Sequence, residues 1–176
     1  MLKAPLLLVS ASALLALCSA QPYDMTVEYL KAPLGVDVAK PRFSWKNSAP
    51  RRGLVQQSYQ LQVSTSADFL ALLWDSKTVS TAQSSFVAYD GPALASSTKY
   101  YWRVQTVVDK ASGASNWSSS SFGTGLLSNA DWGAAKWITG GDSMNLLRKE
   151  FKVTLVDPDA MLFISGIGYH EVKHSI

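Results

Sequence analysis

One cysteine, two histidines and little charge mark this 176-residue sequence by what it has least of. A lone Cys18 cannot close an intrachain disulfide and leaves no Cys-based zinc site. Both histidines, His170 and His174, fall in the last seven residues. Little is therefore available for metal binding or imidazole catalysis. Charged residues make up 16%, against roughly 25% in an average soluble domain. The net charge of +3 is spread along the chain, which excludes a dedicated binder of nucleic acid or anionic membranes. Apolar residues are plentiful instead: 47% are hydrophobic, with six Trp, so the chain is not of the disordered class. The length suits one domain, or one domain and a piece of another. This composition argues against a self-sufficient enzyme, and no cofactor is expected.

Residues 1–20 read as a secretory signal peptide. Lys3 gives a short positive start, and Pro5 to Leu17 is an apolar run too short to span a bilayer stably. Cys18-Ser19-Ala20 places small residues for cleavage before Gln21. Cleavage removes the only thiol, so the mature chain must rest on core packing without disulfides. An extracellular product, not membrane-bound after cleavage, is expected. Asn116-Trp117-Ser118 is an N-glycosylation sequon, usable in a eukaryotic secretory pathway.

Beyond residue 20 the pattern is β. Segments of period two recur between Gly, Pro, Asn, Ser and Asp clusters. Strands are expected at Met25–Leu30, Arg42–Lys46, Tyr59–Val63, Phe86–Tyr89, Tyr100–Val108 and Trp117–Phe122. Phe43 and Trp45 share a face, as do Tyr59, Leu61 and Val63, with Gln60 and Gln62 outward. Ala67 to Leu73 reads as a short helical turn. Leu94, Thr98 and Tyr100 have the spacing of a tyrosine corner, in which a Tyr hydroxyl bonds back to upstream backbone. The fold class expected is all-β, a two-sheet sandwich resembling a fibronectin type III domain over 21–126. A linker at 127–131 follows. A second unit, 132–176, opens with Trp132 and Trp137 and continues with strands at Leu147–Val156 and Ala160–Gly166 around the Asp157-Pro158-Asp159 turn. About 45 residues are too few to close a two-faced core. This unit reads as an incomplete sandwich, with the end of the chain attributed to a truncated gene model, a frameshift or an early stop.

Seven stretches then occur in one order: VEYLKAPLGVDVAKPRFSW (27–45), YQLQVSTS (59–66), LWDSKTV (73–79), TKYYWRVQTVVD (98–109), FGTGLLSNADWGAAKWI (122–138), LRKEF (147–151) and LFISGIGYHE (162–171). In this order they resemble the N-terminal region of secreted α-L-rhamnosidases. The resemblance implies a fibronectin-like domain followed by a jelly-roll-like sandwich of carbohydrate-binding character. It also implies a catalytic α/α barrel further downstream, in cis. Such enzymes are inverting glycosidases that use a carboxylic acid and a carboxylate. Nothing in 1–176 matches the barrel, so no catalytic residue is assigned and the chain alone is expected to be inactive. The implied partners are rhamnose-containing glycans or glycosides, reached through the full-length enzyme.

The residues themselves support no catalytic pair. Asp157 and Asp159 flank a turn proline, Asp75 reads as a strand end, and Tyr169, His170 and Glu171 as strand residues of the second unit. Gly166-Ile167-Gly168 lacks the third glycine and the helix of a phosphate loop. Trp45 and Trp102 are expected in the core, Trp117 half-exposed, and Trp132 with Trp137 at the domain joint rather than on sugar. The alternative reading, of another class, is a small secreted fibronectin-like binding or adhesion module. A third is a fragment without function, whose unpaired strand edges favour aggregation.

Overall fold

The computed structural model describes residues 20–48, 52–108, 113–139 and 159–167, with single positions at 147, 149, 150, 152 and 171. Seven strands are present among the described residues: β1 (Gln21–Val27), β2 (Arg42–Ser48), β3 (Ser58–Ser64), β4 (Leu72–Asp75), β5 (Val87–Ala88), β6 (Lys99–Val107) and β7 (Ser118–Gly123). They form two antiparallel sheets, β1-β2-β5 and β4-β3-β6-β7. The expected all-β sandwich is the observed one.

Alternation decides which side chains meet. In β6, Tyr100, Trp102, Val104 and Thr106 are buried while Tyr101, Arg103 and Gln105 face outward at partial exposure. Phe43 and Trp45 of β2 meet this face across the sandwich. Phe43 lies 4.7 Å from the Trp102 ring and 5.8 Å from Phe122, and Trp45 lies 5.2 Å from Tyr59. Such tilted aromatic pairs add about 0.5–1.5 kcal/mol beyond their buried area. Trp45 and Trp102 are thus core residues, as the sequence indicates.

Most polar groups inside the sandwich are paired, Tyr89 Oη and Trp102 Nε1 being the exceptions among the described residues. Gln56 Oε1 accepts from Trp45 Nε1 at 3.0 Å and Asn47 Nδ2 at 2.9 Å. Its amide nitrogen donates to the carbonyls of Thr81 and Gln83. The tyrosine corner is formed: Ala95 N–H donates to Tyr100 Oη at 2.8 Å. Thr98 N–H in turn donates to Thr124 Oγ1 at 3.0 Å, which pins the turn to the end of β7.

Four expectations need correction. The first strand does not run through Leu30. It starts earlier and ends at Val27, where Glu28 (φ 46°) and Tyr29 (φ 70°) reverse the chain and Val27 and Leu30 exchange backbone hydrogen bonds. The reversal is fastened by Arg42, which holds the Glu28 carboxylate through Nη2 at 2.6 Å and its own N–H at 2.7 Å. Ala67 to Leu73 forms no helical turn. Asp68 Oδ1 accepts from Ser66 Oγ and from Leu70 N–H, making an Asx-type turn, and Leu72 onward pairs with the free edge of β3. Seven residues give a helix too little cooperativity to compete with that ladder. Gln62 faces outward but is buried (6% exposed), because Arg103 and Asp75 hydrogen-bond over it. Residues 160–166 are described without strand pairing, and Leu162 and Ile164 are exposed; an extended segment needs a neighbour to become a ladder. The Leu147–Val156 expectation lies largely outside the described residues, as do Asp157, Pro158, Gly168, Tyr169 and His170.

Residues 127–132 are tied back to the sandwich. Leu127 packs against the core, and its N–H donates to Ser96 Oγ at 2.9 Å. Asn129–Trp132 forms a 3-10 turn, in which Asp131 accepts from Ser96 Oγ at 2.5 Å and Ser128 N–H at 2.8 Å.

Candidate functional site

The outward face of the four-stranded sheet carries a cluster of polar and aromatic side chains. Arg103 stands at its centre. Its guanidinium carbon lies 4.4 Å from the Phe69 ring centroid and 4.5 Å from that of Trp117, so the cation is stacked between two rings. Arg103 Nε also donates to Gln62 Oε1 at 2.8 Å. Gln105 donates to Gln60 at 3.0 Å, and both Gln60 and Gln62 donate to Asp75. β-Alternation places Gln60, Gln62, Arg103 and Gln105 on this face. Phe69 arrives from the turn before β4. The sequence signalled the strand residues through their period, but the stack depends on a turn that periodicity does not describe.

Asp75 ends β4, as expected. Burial by itself raises its pKa, but hydrogen bonds from Gln60, the Lys77 N–H, Gln62 and Lys77 Nζ outweigh this and bring it down to about 2. Hydrogen bonds and charge from Lys31 and Lys46 bring Asp24 to about 2 as well. Arg42 lowers Glu28, the Leu70 N–H and Ser66 lower Asp68, and Ser96 with Ser128 lowers Asp131. These carboxylates are structural acceptors held ionised. A glycosidase general acid needs the opposite, a carboxyl whose pKa is raised. Among the described residues no group of three or more His, Cys, Asp or Glu is placed to hold a metal, and no helix is long and apolar enough to cross a membrane.

Asn116 lies exposed, one residue before Trp117 and two before β7. Its carbonyl accepts from Ser115 Oγ, and among the described residues no hydrogen bond engages its side-chain amide. The Ser118 hydroxyl of the sequon donates to Pro22 O at 2.6 Å. Trp117 is half-buried on Arg103, as the sequence suggests for its exposure. Trp132 is 38% and Trp137 71% exposed, so neither is sealed within a joint among the described residues.

A family model described as the Rha78A-like, N-terminal immunoglobulin domain matches residues 22–128, which is the whole sandwich. The chain belongs to this family. Immunoglobulin and fibronectin type III domains share the sandwich architecture, so the family description and the fold agree. An α-L-rhamnosidase of Streptomyces avermitilis is 43% identical over 117 residues, covering 65% of this chain and 11% of that protein. One from Formosa agariphila is 32% identical over 170 residues, covering 79% of this chain and 18% of the relative. Among solved structures, the S. avermitilis α-L-rhamnosidase complexed with L-rhamnose matches with a TM-score of 0.65 at 39% identity. The match covers 70% of this chain and 12% of that one. The α-L-rhamnosidase from Dictyoglumus thermophilum gives 0.63 at 33% identity, covering 69% and 14%. The chain thus spans less than a fifth of the curated relatives' length. The part that matches the Rha78A-like family is a non-catalytic N-terminal portion of a rhamnosidase-like protein.

Proposed function

We propose that this chain serves as the N-terminal part of a secreted α-L-rhamnosidase-like glycoside hydrolase. In the full protein it braces the catalytic domain or helps place it on rhamnose-bearing glycans and glycosides. The observation that carries this reading is the match of the entire sandwich, residues 22–128, to an N-terminal domain of such proteins. The apolar segment at residues 1–20 supports secretion. The lowered carboxyl pKa values support a non-catalytic role, since ionised acceptors tied to lysine, arginine and backbone donors cannot protonate a leaving oxygen. Purified chain is expected to release no rhamnose from an aryl α-L-rhamnoside while being retained on immobilised rhamnose-bearing glycan. Measurable hydrolysis overturns the non-catalytic reading. Loss of retention with hydrolysis also absent leaves only the bracing role.

Asn116 is the modification site of this reading. Its exposed side chain sits in a sequon at a strand start. Expression through a eukaryotic secretory pathway is expected to add one glycan, read as a mass increment that Asn116→Gln and glycosidase treatment both abolish. An unmodified Asn116 in that host overturns the assignment.

A further inference from the structure

β7 is an edge strand whose free side is covered at its two ends. At one end Gly123 N–H donates to Pro33 O at 2.7 Å and Gly123 O accepts from Val36 N–H at 2.8 Å. At the other, Ser118 Oγ donates to Pro22 O and accepts from Gln21 Nε2, each at 2.6 Å. Between these closures, no backbone hydrogen bond to Ser119 or Ser121 comes from outside β6 among the described residues. Backbone groups alternate along an antiparallel strand. Ser119 and Ser121 are in phase with Gly123, so their N–H and C=O point away from β6.

Beside this edge lies a groove of about 460 Å³, lined on the β7 side by Ser118, Ser119 and Ser120. It is a shallow, largely open depression rather than an enclosed cavity. Across from β7, β1 contributes Tyr23, which is 51% exposed, and Asp24. Lys31 reaches the Asp24 carboxylate at 2.6 Å and Lys46 at 2.8 Å. Pro22, Met25 and Ala32 add apolar surface. The groove thus offers serine hydroxyls, the outward N–H and C=O of Ser119, the Asp24 carboxylate held by lysine ammonium groups, and the exposed Tyr23 ring.

The backbone here is also strained. Asp24 (φ 50°) and Ala32 (φ 43°) both line the groove in left-handed conformations, and Glu28 and Tyr29 between them are left-handed too. Half of the non-glycine residues with positive φ among the described residues therefore fall within 24–32. Strain held by surrounding bonds is a feature of ligand sites.

Three strand residues between the closures are too few for an added peptide strand, since strands ordinarily run about five or six. A compact ligand that is polyhydroxylated on one side and apolar on another suits the lining. We propose that this groove binds one neutral pyranose unit of a glycan, with the Tyr23 ring against its C–H face and Asp24, Lys31 and Ser119 on its hydroxyls. This rests on the glycan-placing reading above and assigns it a location.

The test is an amide NMR titration of the ¹⁵N-labelled chain with methyl α-L-rhamnopyranoside and, separately, methyl α-D-glucopyranoside. Saturable shifts are expected at 23–25, 31–32 and 119–121 with at least one sugar. Tyr23→Ala and Asp24→Asn are each expected to weaken binding about tenfold, the equivalent of about 1.4 kcal/mol. Asn tolerates the left-handed backbone of Asp24, so that variant keeps the fold, and a dispersed amide spectrum verifies both. Saturable shifts at Trp132, Trp137 or Arg103 with a silent groove overturn the location and leave the glycan-placing reading standing. No saturable shift anywhere in a dispersed spectrum overturns both. Unchanged affinity in both variants overturns the groove.

Discussion

Two buried tyrosines show how single residues carry the sandwich. Tyr100 gives its hydroxyl oxygen to the Ala95 N–H, whereas Tyr89 Oη is buried without a partner among the described residues. Burial pushes Tyr89 up to about 12, with Tyr100 adding to the shift. Removing a partner from a buried donor costs about 1–3 kcal/mol, whereas removing an unpaired polar atom costs little. The Ala95 N–H is only partly buried, so Tyr100→Phe is expected to lower stability by about 1 kcal/mol in urea unfolding, and Tyr89→Phe to leave it unchanged or raise it. Equal losses in both would contradict this account. Acid sensitivity follows from Asp24 and Asp75, both lowered from 3.8 to about 2. The unfolded chain binds more protons than the folded chain between these values, so unfolding is favoured as pH falls. Their contribution is complete above about pH 4 and is lost as pH falls toward 2. Urea midpoints measured from pH 6 down to pH 2 are expected to fall mainly in that window, and Asp75→Asn is expected to shrink the fall.

At the scale of elements, the loop after β1 matters as much as the strands. Val36 and Thr124 form a parallel bridge, and Gly123 donates to Pro33. A Cβ at Gly123 would stand 2.8 Å from Leu34 O, a backbone atom that cannot swing aside. Gly123→Ala is expected to cost about 1–3 kcal/mol and to speed amide exchange at Val36 and Gly125. Wild-type exchange at both would rule the clash out. The Glu28-Tyr29 reversal is a comparable device. Such turns favour Asn and Gly, and here two larger residues are held by four hydrogen bonds between Glu28 and Arg42 besides the backbone bond. Periodicity read the strand onward through Tyr29 because its pattern does not break there. The lock lies 14 residues away in β2, beyond any local window.

For the whole molecule, the sandwich is the cooperative unit. The aromatic contacts that join the two sheets all lie between Phe43 and Phe122. Limited proteolysis is expected to leave a fragment close to 21–128, because Ser96, Leu127 and Asp131 fasten the segment after β7. Cleavage is expected first within 133–176, where Trp137, Ile138, Leu162 and Ile167 are exposed. A digest that leaves 133–176 attached would show that these residues fold onto the sandwich.

The sequence by itself determined the fold class, the two core tryptophans, the tyrosine corner and the family, because each is written in local spacing or in the order of segments. Period two identifies an outward residue without saying what covers it. Only the tertiary structure decided that Gln62 is buried beneath Arg103 and Asp75, that Phe69 and Trp117 clasp Arg103, and that Ser118 to Ser120 line a groove beside Asp24. Those contacts join residues between about ten and a hundred positions apart, and their formation depends on sheet register and on turns whose fastening partners lie elsewhere in the chain.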